Sequence, residues 1–253
     1  MNIKYDELLA KNYNSYHVQQ DNLFKLQLSK IIYYLNLDTT KSVLDVGSGA
    51  GRLMVPMTGY VRHVHGVEYS ENMYNETLNN LIQFNIQNYI LQNMDYNVWL
   101  DTVETDKLFS LNAAYFSYTL HQIQPDPDKQ IEVLNKTFAL SDIDTILLIT
   151  LSHKQIEESL LTKYNDKILK FDYDRYMTID KIKEHFTVVS YEEGTNYYKM
   201  KKSDLLNNIN NRYISFLQIL NDDELKDYAT LIDNTFDDII NYPDFYTYIV
   251  LKK

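Results

Sequence analysis

The chain has 253 residues and a formal net charge of -11, from 24 basic and 35 acidic side chains. That length allows one large domain with a well-buried core and a cap, and that sign repels phosphate backbones, so nucleic acid is not an expected partner. With no cysteine, and 45% hydrophobic residues in no run approaching a bilayer span, disulfides, thiolate chemistry and a spanning helix are excluded and the cytoplasm is the expected compartment.

Residues 5–36 carry Leu8, Leu9, Tyr13, Tyr16 and His17, then Leu23, Leu26, Ile31 and Leu35, at spacing that predicts helix. The opening residues, Met1 to Glu7, lack the basic start and apolar core of a secretion signal. A short apolar strand follows at Ser42–Val46, then a glycine loop, a helix from about Gly51 and a second strand at His63–Glu68. Ser70 suits the N-cap of a helix with an apolar stripe of Met73, Leu78, Leu81 and Ile82. The segment "NYILQNMD", ending at Asp95, reads as a third strand, and Ala113–Tyr118 as a fourth. A helix over Asp128–Leu140 leads to a fifth strand, Thr145–Leu151. Continuously apolar strands separated by helices predict a parallel sheet covered on both faces. Phe186–Glu193 and Phe245–Lys253 read as strands six and seven, with a helical insertion between them where a short hairpin is usual.

Three of the six glycines fall within Gly47-Ser48-Gly49-Ala50-Gly51-Arg52, directly after the first strand. Glycines there permit positive backbone dihedrals and let a ligand lie against bare main chain, while the following helix start offers unpaired N–H groups. Glycines serving only a tight turn are the plain alternative. A dinucleotide loop would place glycine where Arg52 stands, and Asp45 at the strand's end would repel pyrophosphate, so a positively charged ligand fits better.

Strand, acid and Gly-x-Gly-x-Gly together resemble motif I of the class I S-adenosylmethionine-dependent methyltransferases. "HVHGVEYS" resembles their second-strand motif, whose terminal acid, here Glu68, holds the ribose hydroxyls. "LQNMDY" resembles the third-strand end, where an acid, here Asp95, accepts from the adenine amino group. "AAYFSYTLHQI" resembles the fourth strand and following turn of the small-molecule members. The resemblance covers residues 40 to 151 well and the chain ends only loosely. It implies a Rossmann-like α/β fold with a seven-stranded, mostly parallel sheet, strand seven antiparallel, helices on both faces and a helical cap. It implies S-adenosylmethionine as cofactor, S-adenosylhomocysteine as product, and a cofactor site of Asp45, Gly47, Ser48, Gly49, Gly51, Glu68, Tyr69, Met94, Asp95, Tyr96 and Ser117.

His121 stands where the fold faces the transferred methyl and is the candidate general base, with packing as the competing role; Tyr118 could line the acceptor site. Tyr13, Tyr16 and His17 on the first helix, and the arginines Arg175 and Arg212 in capping segments, are candidate acceptor contacts; an arginine there would suit an anionic group. "NAAY", Asn112–Tyr115, opens a strand and lacks the prolines of the amide-methylating tetrad, so it is set aside. The histidines show no metal-ligand spacing, and no metal is expected. The expected layout is one domain over 1–253: lid helices 1–38, core 40–194 and 244–253, cap 195–243. The expected function is methyl transfer to an enclosed small metabolite by a monomer or homodimer, with no membrane partner. A protein or RNA acceptor, a non-catalytic cofactor-binding subunit and a nucleotide-dependent oxidoreductase remain the alternatives.

Overall fold

The computed structural model describes residues 21–103, 110–140, 142–160, 162, 165–212 and 215–253. Helix α1 (Asp21–Tyr34) precedes a core of β1 (Ser42–Val46), α2 (Met54–Met57), β2 (His63–Glu68), α3 (Glu71–Gln83), β3 (Tyr89–Asn93), α4 (Tyr96–Thr102) and β4 (Ala113–Ser117). The chain continues through α5 (Leu120–Ile123), α6 (Pro127–Ala139), β5 (Thr145–Thr150), α7 (His153–Glu158), α8 (Asp166–Tyr173) and α9 (Ile179–His185). It ends with β6 (Thr187–Lys201), α10 (Lys202–Asn210), a 3-10 turn (Ser215–Ile219), α11 (Asp222–Thr235) and β7 (Ile239–Lys252).

The seven strands lie in the order β3-β2-β1-β4-β5-β7-β6, with β1 to β5 parallel and β7 antiparallel to both its neighbours. Alternation along β4 sends Ala114 and Phe116 to one buried layer with Leu44 and Trp99, and Ala113 and Tyr115 to the other with Val43 and Ile31. Burial on both faces is why β5 reads as a continuous apolar run and β1 as one interrupted only by Asp45. Ser70 caps α3 as expected, its hydroxyl accepting from the Met73 N–H at 3.4 Å. Among the described residues no helix is long and apolar enough to cross a membrane.

Two boundaries differ from the sequence reading. The glycine loop leads into a single turn, α2, rather than a helix from Gly51, because Gly51 itself sits at φ +79°. The strands flanking the cap are longer than expected, and α10 to α11 occupy only residues 202 to 235 of the expected 195–243. The outer halves of β6 and β7 pair with each other beyond the end of β5, which meets β7 only over 247–252. They form a two-stranded arm over the end of the parallel sheet where the glycine loop lies. A bulge at Val189 interrupts the ladder at the arm's base, Val188 pairing with Leu251 and Ser190 with Val250. The cap helices close their own small core around Leu205, Ile209, Tyr228 and Ile232.

Candidate functional site

At the carboxyl ends of the parallel strands a cavity of about 480 Å³ runs from the glycine loop to the β6–β7 arm, within the usual size for a small-molecule site. Its inner end is built by the loop after β1. Gly47, at φ +72°, donates its N–H to the Val67 carbonyl at 2.9 Å, which folds the loop onto β2. Gly49, at φ +57°, has no heavy atom within 4 Å of where a Cβ would stand, so bare main chain faces the cavity. Gly51 closes the turn by donating to the Ser48 carbonyl at 3.1 Å.

Glu68, at the end of β2 and 8% exposed, holds this loop: one carboxylate oxygen accepts from Gly49 N–H at 2.8 Å, the other from Ser70 N–H at 2.7 Å. Burial raises its pKa, those two N–H groups pulling the other way. Asp45 is 2% exposed. Burial pushes its carboxyl up to about 7, against the neighbouring Tyr115 hydroxyl and with Glu68 adding to the rise. Three buried polar atoms around the loop, Asp45 Oδ2, Ser48 Oγ and Arg52 Nη1, have no hydrogen-bond partner among the described residues. Orphans of that kind, an acid, a hydroxyl and a guanidinium N–H, fit a ligand that carries both a cationic and an anionic end.

The other expected cofactor residues border the same cavity, each with a local role as well. Asp95 caps α4, its Oδ1 accepting from Asn97 and Val98 N–H groups at 2.8 and 3.2 Å. Tyr96 is a core residue, stacked on Trp99 with its hydroxyl against Thr137 Oγ1 at 2.9 Å. Tyr69 is 62% exposed at the rim, and Met94 is partly buried. Ser117 Oγ accepts from Gln27 Nε2 at 3.0 Å, and Gln27 Oε1 accepts from Arg52 Nη2 at 2.8 Å, a strut from α1 through Gln27 to β4.

Both candidate catalytic residues border the cavity. His121 is buried, its ring stacked on Tyr176 at 4.2 Å and its Nε2 3.2 Å from the Tyr176 hydroxyl. Burial, with the Arg175 charge beside it, lowers its pKa to about 3, which favours the neutral imidazole. Tyr118, at φ +54°, donates its hydroxyl to the Phe245 carbonyl at 3.1 Å, and burial first, then Asp244 and Tyr248, raises its pKa well above the usual range. The His121 ring forms part of the cavity wall together with Tyr176.

Of the candidate acceptor contacts, Arg175 lines the cavity, donating from Nη2 to the His121 carbonyl at 2.7 Å and lying 4.5 Å over the Phe171 ring. Arg212 is not brought to the cavity; it binds the Leu220 carbonyl and Asp222 within the cap, at 2.9 and 3.0 Å. Tyr13, Tyr16 and His17 lie outside the described residues. Sequence reasoning missed Gln27, Asp172, Asn196 and Asp244, which line the cavity from four separate elements. It noticed Arg52 only as a missing glycine, although a lone cation beside a ligand-binding loop is itself a signal.

Residues 16–103 match the model of the protein-L-isoaspartate(D-aspartate) O-methyltransferase family. A stretch of 54 residues is 43% identical to a protein of Methanococcus maripaludis named "Probable cobalt-precorrin-6B C(15)-methyltransferase (decarboxylating)", spanning 21% of this chain and 30% of that one. Among solved structures, the YcgJ protein of Bacillus subtilis superposes with a TM-score of 0.53 at 14% identity, over 88% of this chain and 94% of its own. Coclaurine N-methyltransferase bound to N-methylheliamine and S-adenosylhomocysteine does so at 0.56 and 13% identity, over 91% and 72%. Sheet order and these likenesses show that the chain has the fold of the class I S-adenosylmethionine-dependent methyltransferases, and the methyltransferase family match covers residues 16–103 of it.

Proposed function

We propose that this chain transfers the methyl group of S-adenosylmethionine to a small molecule enclosed beneath the β6–β7 arm. The observation that carries this reading is the continuity of one cavity from the glycine loop and Glu68 to the arm. The matched family is named for a protein acceptor, but the match ends at residue 103, before β4, the arm and the cap, so it speaks for the cofactor half alone.

In this reading Glu68 takes the ribose hydroxyls, Asp95 the adenine amino group, and Asp45 and Ser48 the amino-acid end near the loop. Arg52 takes the carboxylate of that amino acid through its orphaned Nη1. When bound, the sulfonium supplies a methyl group open to in-line displacement, which asks the protein mainly for alignment and exclusion of water. The Arg52–Gln27–Ser117 strut and the Tyr118 bond to Phe245 hold α1, β4 and β7 in place around that line. His121 and Tyr118, both held in uncharged forms, shape the wall without moving a proton.

Incubating the protein with S-adenosylmethionine and size-fractionated cell extract tests this. Formation of S-adenosylhomocysteine is expected with the small-metabolite fraction and not with the protein or RNA fractions. Turnover with a macromolecular fraction alone would move the reading to such an acceptor, and binding without turnover in every fraction would make the chain a cofactor-binding subunit.

Asp45 gives a pH dependence whose sign follows from its raised pKa. A carboxyl that titrates near 7 when folded and near 3.8 in the free chain favours the fold fully below about pH 4, an advantage lost as pH rises through about 7. A cation bound beside it favours the ionised form. Affinity for S-adenosylmethionine is therefore expected to rise from about pH 6 to about pH 8, with proton release on binding. Calorimetry in buffers of different ionisation enthalpy reads both; an affinity flat over that range would place the cation elsewhere.

A further inference from the structure

The far wall of the cavity is one face of the β6–β7 arm. Every second residue of β7 there is polar or aromatic: Tyr242, Asp244, Tyr246, Tyr248. Across the ladder Asn196 pairs with Asp244 and Tyr198 with Tyr242, while Gly194 lies opposite Tyr246. The Tyr246 ring lies across Gly194, where any Cβ would overlap its hydroxyl. Ring pairs at 5.4 Å (Tyr198–Tyr242) and 5.2 Å (Tyr246–Tyr248) thus stand on either side of Asp244 along the strand.

Asp244 is a carboxylate set among rings, which is costly unless a cation meets it. The cavity lining among the described residues contains no lysine. Its two arginines are engaged with other groups: Arg52 donates to Gln27 and lies 5.2 Å over Phe24, and Arg175 donates to the His121 carbonyl with Asp172 close by. Arg52 still feels Asp244 and offsets its burial in part, and the Asn196 side chain helps; the carboxyl nevertheless rises to about 6. In the reading above the cofactor's carboxylate neutralises Arg52, which leaves Asp244 as the uncompensated charge of the acceptor end.

We propose that the acceptor carries a protonated or quaternary amine, received by Asp244 as counter-ion between the two tyrosine pairs. Tyrosine faces attract such cations by the ring quadrupole, and the carboxylate adds charge complementarity that a neutral or anionic acceptor cannot use. The word acceptor rests on the methyl-transfer reading; the cation site itself does not.

The test uses the full chain saturated with S-adenosylhomocysteine and three probes that share a phenethyl body and differ in head-group charge: phenethylamine, 2-phenylethanol and 3-phenylpropionate. Calorimetry is expected to show the amine binding at least about tenfold more tightly than the other two. Asp244→Asn is expected to remove that preference while affinity for S-adenosylhomocysteine stays within about twofold, which also shows that the variant is folded. Equal or tighter binding of the alcohol or the carboxylate, including no measurable binding of any probe, overturns the proposal, as does a preference intact in Asp244→Asn. The wild-type comparison decides by itself should the variant not fold. Failure to bind S-adenosylhomocysteine at the outset would sink the cofactor reading instead, so the two failures are distinct.

Discussion

Glu68→Ala is expected to weaken S-adenosylhomocysteine binding by at least about a hundredfold. Hydrogen bonds to a charged group are each worth about 1.5–3 kcal/mol, and a carboxylate holding two ribose hydroxyls would contribute two of them. The same oxygens organise the loop, since they accept from Gly49 and Ser70 N–H groups. Alanine would therefore also release the loop from the end of β2. Glu68→Gln keeps one carbonyl acceptor and the volume, so a loss nearer tenfold is expected. Calorimetric titration of both variants gives the comparison, with thermal melts to confirm folding. An alanine variant that binds within about threefold of the wild type would mean that the sugar lies elsewhere.

The second large effect separates two neighbouring glycines. A methyl group at Gly49 would stand in open space on the cavity side of the loop, whereas at Gly47 it would meet Thr119 Cγ2 at 2.6 Å. Thr119 cannot swing away, because it is β-branched and its hydroxyl donates to the Val46 carbonyl at 2.8 Å. Both positions have left-handed backbone, which costs alanine about 1–2 kcal/mol. Gly47→Ala adds overpacking and is expected to cost the fold about 3 kcal/mol in total. Gly49→Ala is expected to cost the fold only about 1 kcal/mol yet reduce S-adenosylhomocysteine affinity more than tenfold. Urea unfolding and calorimetry measure the two quantities. A Gly49→Ala variant with unchanged affinity would show that no ligand rests on that part of the loop.

The glycine-loop end of the cavity could be read from the sequence because its residues cluster behind strands whose burial shows directly. Val43, Leu44 and Val46, Ala113 to Phe116 and Ile146 to Ile149 are apolar because both faces of the sheet are covered. The acids and glycines that follow them stand out by contrast. The arm end of the cavity could not be read this way. Asp244 and Asn196 are 48 positions apart in the chain and meet only through the β6–β7 register. Their strands are half exposed beyond the sheet, so the alternation is of tyrosine, asparagine and lysine rather than of apolar and polar residues. Pro243 also argues against a strand from sequence alone, yet it is tolerated because this half of β7 has a partner on one side only. Helices α7 to α9 are six to eight residues long, too short for a clear periodic signal. His121 was found by position, but its chemistry depends on Tyr176 and Arg175, more than fifty residues away.

The one extra residue at Val189 governs what the arm offers a ligand. Below it Val188 points with Leu251 into the layer that holds Leu44 and Phe116; above it Glu192 turns to the opposite side, where Lys30 and Tyr34 receive it. Side chains alternate with period two, so it is this extra residue that lets Val188 and Ser190, two positions apart, face opposite sides of the sheet. Asn196 and Tyr198 therefore share a face with Asp244 and Tyr242, their partners on β7, and not with Val188 at the base of the same strand. A single uncounted position thereby sets, roughly 20 Å along the strand, which functional groups share a chamber with that carboxylate.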